Sequence, residues 1–158
     1  MTPDSLFMIC NNGVLPAWLL LAFAPSWSWT QRIVHQIWIP ILLGCVYLGV
    51  LLTSPEAPEG GGFSSLRGVM TSFTSPHFAL VGWVHYLAFD LFVGAWEVRD
   101  AQRRSISHWL VVPCLLLTLM LGPVGLLAYL GLRFGLKREV SLDESTRSTG
   151  GDASHGSE

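Results

Sequence analysis

The chain has 158 residues, of which 51% are hydrophobic and 13% charged; its net charge is −2 and its mean hydropathy +0.48. That length suits one domain, and the charge content falls well below the roughly 25% of a soluble globule, which argues against a soluble fold. With no basic excess to attract phosphates, no nucleic-acid partner is expected.

Four apolar stretches of about 20 residues, the length that crosses a bilayer, follow one another along the chain. The first covers about 6–24. It carries Asn11 and Asn12 early, then Gly13 and Pro16, which permit a kink. Ala22-Phe23-Ala24 resembles a signal-peptide cleavage site, but Met1 to Ser5 hold no Lys or Arg and Pro25 follows directly, so an uncleaved span is expected. The second covers about 33–52, opened by His35 and containing Pro40 and Tyr47. A Pro/Gly loop from Ser54 to Gly62 comes next. Phe63, Leu66, Val69, Met70 and Phe73 then recur at three or four residues, which predicts a short amphipathic helix over 63–75.

The third stretch, about 78–96, is the unusual one. Asp90 stands near its middle, where an insertion scale puts the cost of a carboxylate at about 2.5–3.5 kcal/mol, so it should face the bundle interior. At 100° per residue Trp83, Tyr86, Asp90 and Glu97 share one edge, and His85, Phe89, Phe92 and Trp96 form the adjoining aromatic edge. Two readings of Asp90 stand side by side: a hydrogen bond that fixes helix packing, or a proton-transferring group assisted by His85 or Tyr86. Arg99 to Arg104 reads as a solvated basic loop touching lipid headgroups. The fourth stretch, about 109–132, follows His108 and contains Pro113, Thr118 and Gly122-Pro123-Val124-Gly125, a run that loosens a helix. From residue 139 to 158 the composition is polar and a disordered tail is expected.

The fold expected is all-α: a polytopic bundle of four transmembrane helices over 1–138, with the short amphipathic segment between the second and third. Trp27, Trp29, Trp96 and Trp109 would then mark one membrane face. The cations do not orient the bundle. Arg32, Arg99, Arg103 and Arg104 would lie on one face, and Arg67, Arg133, Lys137 and Arg138 on the other. A hydrophilic tail left untranslocated favours both termini in the cytoplasm.

Metal chemistry is disfavoured, since the five histidines show no H-x-x-H or H-x-x-x-H pair. Cys10, Cys45 and Cys114 sit in apolar runs without C-x-x-C spacing and read as buried apolar side chains. Neither a nucleotide loop nor a haem motif is present, and no cofactor is expected.

Several strings carry a resemblance: Leu15-Pro16-Ala17-Trp18, Ala24-Pro25 with Trp27-Ser28-Trp29-Thr30, Phe63-Ser64-Ser65-Leu66-Arg67-Gly68, Gly82-Trp83-Val84-His85-Tyr86-Leu87-Ala88-Phe89-Asp90, and Gly122-Pro123-Val124-Gly125. Over about 5–135 the chain resembles the abscisic-acid-deficient 4 family of small membrane proteins. In plants that family is implicated in converting violaxanthin to neoxanthin, an isomerisation in which an epoxide opens, a vinylic proton leaves and an allene forms. The resemblance implies a carotenoid or other isoprenoid ligand, membrane lipid as surroundings and no redox cofactor. Lacking a transit peptide, the chain resembles a bacterial member, expected in the inner membrane. Asp90, His85 and Tyr86 are the catalytic candidates, and Trp83, Phe89, Phe92, Trp96, Asn11 and Asn12 the substrate-binding ones. The alternative is a non-catalytic scaffold or pigment- or lipid-binding protein, as a homodimer or in a complex with pigment enzymes. A transporter subunit is disfavoured because no half of the chain repeats.

Overall fold

The computed structural model describes residues 1–36, 38–54, 57–138 and 140–141. The expected disordered tail therefore lies outside the described residues, apart from 140 and 141. All regular structure among the described residues is helical: α1 (Pro3–Phe23), α2 (Ser28–Ile33), α3 (Trp38–Thr53), α4 (Leu66–Ser72), α5 (Pro76–Arg103), α6 (His108–Leu121) and α7 (Pro123–Lys137). The helix starts follow local chemistry. Proline, which has no N–H to lose, stands at the start of α1, α5 and α7. Thr2 and Ser65 cap α1 and α4 by accepting from the amides of Ser5 and Gly68.

The long helix α5 is the centre, with α1, α3, α6 and α7 packed around it. Its parallel partner is α1. Phe7 and Asn11 meet Trp83 near one end, Trp18 lies over Gly94 higher up, and the Ala22 carbonyl pairs with His108 beyond the other end. The return helix is α3, bringing Tyr47 beside His85, while His35 ahead of it contacts Arg99.

Three expectations change here. The helix of the second apolar stretch begins at Trp38 rather than residue 33, because Ile33 ends the separate short helix α2. The amphipathic segment is shorter than expected, a seven-residue helix from Leu66 to Ser72. The largest change is in the fourth stretch, which is not one helix. Gly122 adopts φ +42° and ψ −95°, a conformation open to glycine, and Pro123 has no amide to continue the ladder. The chain reverses there. Gly125 abuts the backbone of Thr118, and Tyr129 returns to Trp96 and Asp100. Thus α6 and α7 form a hairpin that enters and leaves at the same end of α5.

At 14 and 15 residues, the hairpin arms are roughly 21–22 Å long, short of a hydrocarbon core about 30 Å thick. Two helices, α1 and α5, are long and apolar enough to cross a membrane. The four full crossings expected are thus not what the helices form: two long helices, α1 and α5, are joined by the 16-residue α3 and the α6–α7 hairpin. The described ends of the chain consequently sit at opposite ends of α5, Pro3 near Pro76 and Arg133 near Asp100, instead of on one face.

Candidate functional site

The polar edge of α5 faces the hairpin and α1. Lowest on it, the Trp83 indole N–H donates to Asn11 Oδ1 at 3.2 Å. Its ring lies 5.2 Å from that of Tyr86 and 5.4 Å from that of Phe7. A cavity of about 260 Å³ opens beside this ladder, between Pro3, Asp4 and Phe7 of α1 and Pro76, Leu80 and Trp83 of α5. One turn higher, the Tyr86 hydroxyl donates to the Leu119 carbonyl at 2.8 Å. This carbonyl lies in the last turn of α6, where the helix leaves it without an intrahelical partner.

Asp90 comes next, at the hairpin tip. A Cβ built on Gly122 would stand 2.8 Å from Asp90 Oδ1, so the carboxylate occupies the space that only glycine leaves. Asp90 Oδ2 is buried and has no hydrogen-bond partner among the described residues. Tyr86 interacts with the same carboxyl group, so the packing role and the proton-transferring role weighed from the sequence still stand side by side. An unsatisfied acceptor is costly, and such atoms mark positions completed by a proton, a water or a ligand.

Beyond Asp90 the edge continues into a buried polar network. Glu97 is 0% exposed; its Oε1 accepts from the Thr118 hydroxyl at 2.9 Å and its Oε2 has no partner among the described residues. Asp100 accepts from Tyr129 at 2.7 Å and from Arg104 at 3.0 Å, and Arg133 stands 3.5 Å away. That last contact is an ion pair without hydrogen-bond alignment, since Arg133 Nε has no hydrogen-bond acceptor among the described residues. The second guanidinium branch of Arg133 reaches the Ser141 carbonyl. The expectation of a solvated basic loop is corrected here: Arg99 to Arg103 belong to α5, and Asp100 is buried as the anchor of α7.

The remaining candidates separate. His85 stacks on Phe89 with ring centroids 4.4 Å apart and faces Tyr47 of α3, on the other side of α5 from the hairpin. Phe89 and Phe92 are exposed, as is Asn12. Trp96 packs edge-on against Tyr129 at 5.6 Å. The structure therefore brings together Asn11, Trp83, Tyr86 and Asp90, and leaves His85, Phe89, Phe92 and Asn12 apart from them. Glu97 was recognised on the shared edge, but Thr118, Tyr129 and Arg133 as its neighbourhood were not. A signal existed: Arg133 interrupts an apolar run, and a cation there needs a buried acid. Of the three cysteines, Cys10 and Cys114 are buried as expected and Cys45 is exposed. No group of three or more His, Cys, Asp or Glu able to hold a metal occurs among the described residues.

These features define an all-helical protein with apolar helices long enough for a bilayer and an ionisable seam between its central helix and a helical hairpin. The model of the ABA DEFICIENT 4-like family matches residues 5–129, and the chain belongs to that family. It is 29% identical over 134 residues to Protein ABA DEFICIENT 4, chloroplastic, of Arabidopsis thaliana, an alignment covering 80% of this chain and 59% of the plant protein. The chain thus spans less than two thirds of that relative's length. No solved structure matches it.

Proposed function

We propose that the chain is an integral membrane protein that binds a carotenoid or another isoprenoid between α1, α5 and the hairpin, and that Asp90 is its acid/base group. The membrane reading is supported by the outer surface. Ile41, Leu42, Leu48 and Leu52 of α3 and Leu116 and Met120 of α6 all point outward, while Glu97, Asp100 and Arg133 point inward. Contiguous exposed apolar faces over a charged interior suit lipid as the solvent. The ligand class comes from the family, whose plant relative is named for abscisic-acid deficiency, together with the aromatic ladder Phe7–Trp83–Tyr86 leading from the cavity towards Asp90.

The observation that carries the chemistry is the unpartnered Asp90 Oδ2 at the middle of α5. In an isomerisation of the epoxide-to-allene type, a carboxylic acid at this place would give its proton to the epoxide oxygen as the C–O bond breaks. A base would take the vinylic proton as the allene forms, and the atom count is unchanged. Tyr86, one turn away and within electrostatic reach of Asp90, is the neighbouring polar group. His85 would need to act from the far face, so its part in this reading is the weaker one. The expected result of Asp90→Asn in a pigment-producing host is product lowered about 10²-fold or more, the usual contribution of a general acid or base, with the protein still accumulating. Unchanged pigment composition would defeat the enzymatic reading.

A second reading, a non-catalytic pigment- or lipid-binding scaffold, is favoured by the exposed aromatic face of Phe89 and Phe92. It predicts that substitutions on these residues change what binds or assembles, with no change of product in either direction.

A further inference from the structure

The reversal at Gly122 moves charge as well as chain. Had residues 109–132 crossed a bilayer, Lys137 and Arg138 would lie on the face opposite Arg103 and Arg104. Instead α7 runs back to Asp100, so Arg32, Arg99, Arg103, Arg104, Lys137 and Arg138 gather at one end of the molecule. Among the described residues, the other end holds Asp4 and Glu59, one basic side chain, Arg67, and the Met1 ammonium. Exposed Trp27, Trp29, Trp38 and Trp109 ring the basic end, where indoles would sit at headgroup depth.

We propose that α6–α7 is a re-entrant hairpin, and that the basic end it completes seats on the anionic headgroups of the cytoplasmic leaflet, leaving the N-terminus and the 57–65 loop on the opposite side. The proposal rests on the membrane reading above but not on the carotenoid one. Three observations carry it. The hairpin arms are too short for a full crossing, and the tip at Gly122 meets Asp90 halfway along the 28 residues of α5. The tip is also apolar, with Met120, Leu121 and Val124 exposed, as an element ending inside hydrocarbon requires. Finally, its irregular backbone is buried against α5, the condition under which non-helical chain is tolerated at that depth. Cations on the short segments flanking the helices then set the orientation.

The test is thiol labelling of the full chain in intact bacterial cells. In a background carrying Cys10→Ala, Cys45→Ser and Cys114→Ala, single exposed positions are changed one at a time: Thr2→Cys, Glu59→Cys, Ser107→Cys and Arg138→Cys. A membrane-impermeant maleimide should label the first two in intact cells, and the last two only after permeabilisation. Combining Arg32→Gln, Lys137→Gln and Arg138→Gln should then produce a mixed population at Thr2→Cys. Thr2→Cys and Arg138→Cys reporting the same side would overturn the hairpin. The reverse pattern would overturn the headgroup assignment. Recovery of the protein in the carbonate-soluble fraction would overturn this proposal through the membrane reading itself.

Discussion

Gly125 has no room for a side chain. A Cβ there would run into the backbone amide and Cα of Thr118 in the facing arm of the hairpin, and neither can swing aside. Gly125→Ala should therefore cost at least about 3 kcal/mol, the upper end of ordinary overpacking, read as lost thermal stability in detergent. Gly131→Ala on the same helix has open space around it and should be neutral or slightly stabilising, because alanine is the better helix former. Tyr129→Phe removes one hydrogen bond to a buried carboxylate and should cost about 1.5–3 kcal/mol, the range for bonds to charged groups. Arg133→Ala should be worse, about 3–5 kcal/mol, since it withdraws one cation from buried Asp100. At this scale the sequence was informative about α5, where a fixed angular step put Trp83, Tyr86, Asp90 and Glu97 on one edge. Arg133, a cation inside an apolar run, signals a buried acid but not which one, because its pairing with Asp100 depends on a helix that returns from about 30 residues further along.

Between elements, the hairpin was the part the sequence did not reveal. Gly122-Pro123 announces a break, but a break can bend a helix, kink it or reverse it, and composition is the same in all three. What decides is the second glycine: Gly125, one turn past the break, lets α7 lie against α6. The segment between α2 and α3 was also misread, because an unbroken apolar count hides a turn. His35 sits in that turn, half-buried, with its Nδ1 3.2 Å from Arg99. Burial and then the Arg99 charge push its pKa down from 6.5 to about 4. His35 is thus neutral in the folded state between pH 4 and 6.5, while the unfolded chain binds the proton there. Stability should be constant above about pH 6.5, fall as the pH drops from there towards about 4, and level off below it. Thermal melts across pH 4–7.5 check this. The slope should shrink in His35→Gln, and an equal slope in that variant would assign the effect to another group.

The whole molecule is apolar outside and ionisable within. That inversion was legible from hydropathy and from one carboxylate in a long apolar stretch, as was the all-helical class; the return of α7 along α6 towards Asp100 was not, since it turns on the reversal at Gly122. The function proposed for this interior seam is to hold a polyene or other isoprenoid near Asp90. The most direct measurement is mass spectrometry, with a visible spectrum, of the small molecules that accompany the full chain when it is purified in mild detergent from a carotenoid-producing host. A near-stoichiometric isoprenoid is expected, with Trp83→Ala lowering its occupancy by breaking the ladder beside the cavity. A colourless protein carrying ordinary phospholipid, with the same composition in Trp83→Ala, would contradict it.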